Sequence, residues 1–526
     1  MSVRAVAAAL LVLCSTAPAS AMPAGRDGEA VRRADRMIMQ VRLEEAERLL
    51  EPVATRHPND PDVLELVALL AFHDGDYGES VTVMDRAIAQ GGEAAGLADR
   101  RALRALIAAT HDATEHFERA ASPDGRFVVM YAPGRDEVLV PYALEAMAAA
   151  DRAIGGALGV TVPGPVRLEI YPTAASLAEV STLTVEEIER TGTIALCKWD
   201  RLMITSPRAL VRGYPWTDTI GHEYVHLALS RASNDQAPVW LQEGIAKFLE
   251  RSWRGEAPTA NVEPAAEALL DAAARGDGLI PFDRLHPSIA RLPSQEDAAL
   301  AFAQVATFVE AFHGRHGDDG LRDAIRRIAG GEDARDALVA VAGEPWARLE
   351  ARWKEALRAR PASRRDPPRL IALRFRHGAG EVDESAEVEV EQARRHLRLG
   401  DLLWGRGRPG AASVEYGKAQ EAAPDDPIVA SRYGRAALAS GRTGPAITAL
   451  ERVRDRYPDH APLHAILGAA LAAEGRAEPA RTSLREAIRI NPFDPAPHCD
   501  LTAVAEHDTE RRRETQACRA LGGTLP

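Results

Sequence analysis

The chain has 526 residues, 46% of them hydrophobic, which is enough for two to four domains with buried cores. Its formal net charge of −13 comes from interspersed acids and bases, so the composition predicts no nucleic-acid partner. Few aromatic residues (5%) and abundant Ala, Leu, Arg and Glu indicate a mostly helical protein.

Residues 1–21 have the pattern of a cleaved secretory signal. Arg4 precedes the apolar run 5–13, and small residues end the segment at 17–21. The run is too short to span a bilayer, which needs about 20 apolar residues. The alternative is a lipoprotein acylated at Cys14, although Leu13 is bulky where such signals carry a small residue. We therefore expect an exported protein, periplasmic or secreted, without a transmembrane segment.

Residues 27–94 follow the small, large and stop positions of a 34-residue helical repeat. The positions are Ala46, Leu50 and Pro58 in the first unit and Ala68, Gly75, Met84 and Ala87 in the second. A connecting segment follows at 95–122, with a helix predicted over 98–120. The turn at 122–125 is predicted to be a domain boundary.

A different pattern begins at residue 123 and predicts a domain that extends to 358. Strands are predicted at 126–131, 166–171, 193–196 and 202–205, and an amphipathic helix at 141–158. Helices dominate afterwards, including 299–312 and 321–328. A small sheet is therefore predicted before the segment that contains His222 and His226.

His222 and His226 are four residues apart, in a segment predicted to be a helix with Thr217 or Asp218 as its cap. This spacing places both imidazoles on one helical face, where they can bind one metal ion, with Glu223 beside it. Sixteen residues separate His226 from Glu243, which lies in a second predicted helix, 238–248. Two histidines and a carboxylate with an open fourth position form the catalytic type of zinc site. An accidental match is the alternative, and the segment around Trp240 and Glu243 argues against it.

Residues 359–392 are rich in proline and acidic residues and are predicted to be a linker outside the core. Three repeats follow at 393–497, and capping helices at 498–526. The repeat is evident from four series spaced by 34 residues: Gly400, Gly434, Gly468; Gly407, Gly441, Gly475; Ala412, Ala446, Ala480; and Pro424, Pro458, Pro492.

Three cysteines remain after the signal. Cys499 and Cys518 flank one predicted helical hairpin and could form a disulfide in an oxidising compartment. Cys197 is interpreted as a buried thiol in a strand rather than a zinc ligand.

These residues resemble tetratricopeptide repeats on either side of a catalytic domain of the peptidase MA-like family, among the gluzincin (thermolysin-like) zinc peptidases. The central resemblance is carried by residues 192–197, 206–210, 222–226 and 238–246. It implies an α+β thermolysin-like zincin domain flanked by helical repeat solenoids. It also implies zinc bound by His222, His226 and Glu243, with Glu223 as the general base. A strand at the edge of the site, 194–198 or 202–205, is expected to pair with an extended peptide.

The chain departs from its relatives at Phe302. Many aminopeptidase-like gluzincins carry a tyrosine there, by helix register, which donates a hydrogen bond to the oxyanion. A phenyl ring cannot donate one. Tyr214 and His286 are alternative donors, although a packing or surface role is the simpler interpretation of each.

The sequence therefore predicts an exported zinc-dependent metallopeptidase whose repeats bind a protein or peptide. The alternative is a repeat scaffold whose metallopeptidase-like domain is weakly active or inactive. The intact residues His222, Glu223, His226 and Glu243 favour the enzyme, and Phe302 favours the scaffold.

Overall fold

The computed structural model describes residues 25–91, 96–285, 289, 292–361, 367–378 and 383–526. The predicted signal segment and Cys14 lie outside these residues. The protein is mostly helical, as its composition predicts. Within the described ranges, no helix combines the length and apolar content needed to cross a membrane.

Helices precede, follow and flank a small sheet. The N-terminal helices are α1 (Arg26–Met39), α2 (Leu43–Arg56), α3 (Pro61–Asp74), α4 (Tyr77–Gly91) and α5 (Leu97–Thr114). The central helices are α6 (Val140–Leu158), α7 (Ala174–Glu179), α8 (Val185–Thr191), α9 (Trp216–Ser233), α10 (Val239–Leu249), α11 (Pro264–Arg275), α12 (Gln295–Ala329, broken at Gly317), α13 (Ala334–Ala342) and α14 (Trp346–Arg358). The C-terminal helices are α15 (Glu391–Gly405), α16 (Pro409–Ala422), α17 (Pro427–Ala439), α18 (Thr443–Arg454), α19 (Ala461–Ala473), α20 (Ala477–Ile490), α21 (Pro495–Val504) and α22 (Asp508–Ala520).

The described residues form one five-stranded sheet in the order β1-β2-β3-β5-β4. Its strands are β1 (Glu118–Ala121), β2 (Phe127–Tyr131), β3 (Val166–Tyr171), β4 (Ala195–Lys198) and β5 (Arg201–Thr205). The inner strands β2, β3 and β5 are parallel, and the outer strands β1 and β4 are antiparallel to their neighbours. Of the two candidate edge strands, β4 is therefore at the edge and β5 is internal.

The predicted helix over 98–120 is wrong at its end. Helix α5 stops at Thr114, and β1 pairs with β2 through Ala121 and Val128. Residues 118–121 favour a helix by local propensity, but the open edge of β2 offers backbone hydrogen bonds that hold them as a strand. The turn at 122–125 consequently joins two strands of one sheet and does not separate two domains.

The N-terminal helices pack against the sheet through a buried ionic network. Glu169 on β3 accepts a hydrogen bond from the Nε of Arg167 at 3.1 Å and lies 3.4 Å from the Nη1 of Arg201. The hydroxyl of Tyr77 on α4 donates to the same carboxylate. Because Glu169 and Arg201 are fully buried, this network fixes the N-terminal helices to the sheet.

The C-terminal repeats are built on a small residue placed opposite a large one. A Cβ at Gly400, Gly434 or Gly468 would collide with the side chain sixteen residues later, which is Tyr416, Leu450 or Leu484 respectively. The paired helices can therefore approach closely only with glycine there. The turns between paired helices need a residue with positive φ, which glycine adopts without strain. These residues are Gly407, Gly441 and Gly475, with φ of +67°, +74° and +74° respectively. The 34-residue period predicted both sets.

The last repeat and the final hairpin pack against the central helices. The backbone N–H of Tyr214 donates to the carbonyl of Ile490 at 2.9 Å, and the hydroxyl of Tyr142 on α6 donates to Glu514 at 2.8 Å. Within this hairpin, Cys499 and Cys518 form a disulfide with 5.0 Å between their Cα atoms. The expected cysteine pairing is thus present.

Part of the predicted linker packs against the central domain. The backbone N–H of Val211 donates to the carbonyl of Arg374 at 2.9 Å, and the side chain of Phe375 is buried in the main core. The amide of Gln295 holds both backbone groups of Leu373. We call residues 369–376 the strap. Because the backbone of the strap is hydrogen-bonded to that of residues 209–211, the strap is a structural part of the central domain.

Candidate metal centre and active-site cleft

The two histidines lie on α9, which begins at Trp216 and follows Pro215 as its N-cap. The expected cap by Thr217 or Asp218 is wrong. In the described part of the chain, the hydroxyl of Thr217 has no hydrogen-bond partner. Asp218 instead accepts hydrogen bonds from the guanidinium groups of Arg254 and of Arg489, a residue of the last repeat.

Glu243 lies on α10, which packs closely against α9 at one glycine and against α12 at another. A Cβ at Gly221, next to His222, would collide with the backbone carbonyl of Glu250. A Cβ at Gly244, next to Glu243, would collide with Val309 of α12. The absence of a side chain at both positions therefore lets these helices bring the histidines and the glutamate together.

The side chains of His222, His226 and Glu243 converge on one point. The Nε2 atoms of the two histidines are 3.1 Å apart, and the Oε2 of Glu243 lies 3.1 Å from that of His222 and 3.3 Å from that of His226. Ligand atoms about 3.3 Å apart are expected around a tetrahedral zinc ion with bonds of about 2.0 Å. Both the donor set and its spacing fit zinc.

The electrostatics of the same residues favour a cation. Burial alone would lower the pKa of His222, but hydrogen bonds to Glu243 and Glu250 raise it to about 10. Burial likewise opposes ionisation of Glu243, yet the two imidazoles lower its pKa. The carboxylates therefore create a negative potential at the point where the three side chains converge, and this potential favours a bound cation.

Glu250 orients His222 from behind. Its Oε2 accepts a hydrogen bond from the Nδ1 of His222 at 3.0 Å, and its Oε1 accepts one from Lys247 at 2.7 Å and another from Asn261. Lys247 and His222 overcome the effect of burial and lower the pKa of Glu250 to about 2. Glu250 is therefore an ionised partner of His222 and lies outside the converging group. Its position seven residues, or two helical turns, after Glu243 was the available sequence signal.

Glu223 lies between the histidines in sequence and lines the same cleft. Its side chain is buried, and among the described residues its Oε2 has no hydrogen-bond partner. Burial raises its pKa, with the neighbouring imidazoles opposing the shift. A buried, unpartnered carboxylate beside a cation site can exchange a proton with a bound molecule.

The cleft in front of these residues has a volume of about 1000 Å³. It is lined by the edge strand β4, by residues 369–374 of the strap and by residues 456–460 of the repeats. Cys197 on β4 is partly exposed to it, and burial and nearby acids raise the pKa of this thiol. Cys197 is not part of the metal-ligand group within the described residues.

The structure gives a different outcome for Phe302, which occupies the expected donor position, and for the two alternative donors Tyr214 and His286. Phe302 lines the cleft with its ring centroid 6.4 Å from that of His222, so it lies beside the candidate ligand group, where the helix register predicted it. The hydroxyl of Tyr214 donates to the backbone carbonyl of Thr205 and is fully buried. His286 lies outside the described residues.

Comparison with known proteins identifies two kinds of segment. The Peptidase MA superfamily model matches residues 148–359, and a tetratricopeptide-repeat model matches residues 40–95 and 432–495. No curated protein matches the sequence.

Several solved structures resemble parts of the chain. A crystal structure of MamA is 18% identical and covers 26% of this chain and 79% of its own, with a TM-score of 0.22. A thermophilic tetratricopeptide-repeat protein of Thermus thermophilus is 25% identical over 24% of this chain and 72% of its own, with a TM-score of 0.22. MamA from Desulfovibrio magneticus RS-1 is 15% identical and covers 40% of this chain and 93% of its own, also with a TM-score of 0.22. The two family models therefore show that the chain contains a Peptidase MA superfamily domain and tetratricopeptide repeats.

Proposed function

We propose that this protein is an exported zinc metallopeptidase of the gluzincin, thermolysin-like type, with an α+β zincin domain between its repeats. The observation that carries the proposal is the convergence of His222, His226 and Glu243 beside the unpartnered carboxylate of Glu223. All four residues line one open cleft. The Peptidase MA superfamily match over residues 148–359 supports the same activity.

His222, His226 and Glu243 would hold the zinc ion, and Glu250 would orient His222. When bound, zinc supplies Lewis acidity to the scissile carbonyl and to the attacking water. Glu223 accepts the proton of that water and donates it to the nitrogen of the departing amine. An extended peptide can reach this position by pairing with β4, whose outer edge has no strand beside it in the described sheet.

Export is the second part of the proposal. It is supported by the signal-like composition of residues 1–21 and by the Cys499–Cys518 disulfide, which an oxidising compartment favours. Tetratricopeptide repeats suggest protein interaction, and here they would bind a protein or peptide.

The decisive experiment combines metal analysis with hydrolysis of casein and fluorogenic peptides. We expect about one zinc per chain, turnover that a chelator abolishes, and recovery when zinc is restored. Hydrolysis that is unaffected by both the chelator and Glu223→Gln would contradict the proposal.

A scaffold with an inactive peptidase-like domain is the second candidate. Phe302 favours it, because the ring beside His222 cannot donate a hydrogen bond to an oxyanion. Full zinc binding without hydrolysis of any tested peptide would favour this scaffold over the enzyme.

A further inference from the structure

A loop of the C-terminal repeats forms part of the active-site cleft. Residues 455–460 join α18 to α19, and Tyr457, Asp459 and His460 line the cleft that also contains Glu223. Arg489 holds this loop through Asp459 at 3.0 Å and reaches Asp218 on α9 at 3.1 Å. A molecule that fills the cleft will therefore contact the repeats as well as the central domain.

His460 differs from the residues at the equivalent position in the helix pairs directly before and after it. Asp426 and Asp494, 34 residues before and after it, are the N-cap residues of α17 and α21. Asp426 accepts a hydrogen bond from the backbone N–H of Ile428 at 2.9 Å, and Asp494 accepts one from Ala496 at 3.0 Å. His460 occupies the equivalent position before α19 and provides no side-chain cap in the described structure.

The stability of the helix does not explain a histidine at this position. Aspartate is among the best N-cap residues, because its carboxylate accepts hydrogen bonds from the first free backbone N–H groups. The backbone of His460 has φ −97° and ψ 92°, in the extended region that N-cap residues adopt. Aspartate would fit this backbone, although Pro462 has no N–H and leaves only that of Leu463 for a side chain at residue 460 to cap.

The surrounding charges also favour an acid over a histidine. His460 is 4% exposed, and neither ring nitrogen has a hydrogen-bond partner among the described residues. Burial, Arg212, His464 and Arg369 lower its pKa to about 3, so the imidazole is neutral. A carboxylate would be stabilised by the same guanidinium groups. Residues that break a local rule without structural gain are expected at functional sites.

We propose that His460 is a specificity-determining residue that binds extended polypeptide substrates at the repeat wall of the cleft. Its neutral imidazole has one donor and one acceptor nitrogen, which match the carbonyl and N–H groups of a peptide main chain. Peptides long enough to contact both Glu223 and His460 are therefore preferred over di- and tripeptides. This inference rests on the proposed peptidase function.

The experiment uses the full chain with Glu223→Gln, so that bound peptides stay intact. Two fluorescein-labelled casein peptides are compared, one of about four and one of about ten residues, which share a bond that the wild type cleaves. At about 3.3 Å per residue, the longer peptide extends about 20 Å further than the shorter one. With His460→Ala, and with His460→Phe, neither of which can hydrogen-bond to a peptide through its side chain, we expect the Kd of the longer peptide to rise about tenfold. The shorter peptide should bind as before.

Thermal unfolding separates this role from a structural one. The ring nitrogens of His460 have no hydrogen-bond partner among the described residues, so His460→Phe should keep the melting temperature of the wild type while the affinity for the longer peptide falls. Asp494→Ala is the matched control, because it removes a cap from the next repeat, away from the cleft. It should lower the melting temperature and leave both Kd values unchanged.

Two results would overturn the assignment of His460. One is an unchanged Kd for the longer peptide, and the other is an equal loss of affinity for both peptides. Either result, obtained while the wild type still shows chelator-sensitive cleavage, removes His460 from substrate binding and leaves the peptidase intact. Absence of such cleavage in the wild type would instead remove the proposed function, and this inference with it.

Discussion

The Oε2 of Glu250 accepts a hydrogen bond from the Nδ1 of His222 at 3.0 Å, while the Nε2 of the same ring faces Glu243. One imidazole therefore lies between two carboxylates with different tasks. Glu243 belongs to the converging ligand group, and Glu250 fixes the tautomer and the orientation of the ring.

Glu243→Ala and Glu250→Gln should weaken zinc binding to different extents. Loss of a ligand is expected to reduce zinc affinity by orders of magnitude, whereas loss of an orienting carboxylate typically costs about 10- to 100-fold. Competition with a chromophoric chelator measures both affinities. If the zinc affinity of Glu243→Ala equals that of the wild type, Glu243 is not a ligand.

Glu223→Gln should retain zinc and lose nearly all turnover. An amide cannot accept a proton from water, and general-base catalysis is typically worth about 100- to 10,000-fold. The zinc content and the melting temperature of the variant are the controls, since Glu223 is not a member of the ligand group. Equal peptide hydrolysis by the variant and the wild type would assign the activity to a contaminant or another site.

Phe302→Tyr should increase the kcat of a susceptible peptide about tenfold or more. The added hydroxyl would enter the cleft beside His222, where an oxyanion donor typically contributes about 100- to 1000-fold. The effect should appear in kcat, because the hydrogen bond forms in the transition state.

Phe308→Tyr provides the control on the same helix. Phe308 is buried among aromatic rings, and its ring centroid lies 5.1 Å from that of Phe282 and 5.2 Å from that of Trp346. A hydroxyl added there would be buried without a partner, so it should lower the melting temperature without raising kcat. If Phe302→Tyr behaves like this control, Phe302 does not occupy the donor position.

Glu169→Gln should destabilise the protein and reduce the pH dependence of its stability. Burial raises the pKa of Glu169, but Arg201, Arg167 and two tyrosine hydroxyls lower it below its usual value. Its contribution is therefore complete above the unfolded pKa of about 4.3 and declines as the pH falls through the lower folded pKa. Removing one partner of a buried pair typically costs about 3–5 kcal/mol.

Urea unfolding at pH 7 and at several values below pH 5 measures both effects. Exposed Glu186 is the matched control, and Glu186→Gln should change the free energy of unfolding by less than about 0.5 kcal/mol. If Glu169→Gln is as stable as the wild type at pH 7, the buried network does not hold the N-terminal helices to the sheet.

Periodic features of the sequence determined the local elements. The four-residue spacing of His222 and His226 put both on one face of α9, and the 34-residue period placed Gly400, Gly434 and Gly468 opposite large side chains. Such patterns can be recognised in the sequence because the spacing of the residues equals one helical turn or the length of one helix pair. Local pattern misled where a neighbour decided the outcome, as at 118–121, which β2 holds as a strand.

Only the tertiary structure decided how the cleft is enclosed. The strap, Glu250 and the loop at 455–460 come from separate parts of the chain and meet only after the repeats pack against the central domain. Contacts between such distant residues depend on which surfaces complement each other in shape and charge, and no local pattern encodes that. In the sequence, His460 is an ordinary histidine in a repeat. Its place in the cleft follows from the packing of the repeats against the central domain, where Arg489 links Asp459 to Asp218.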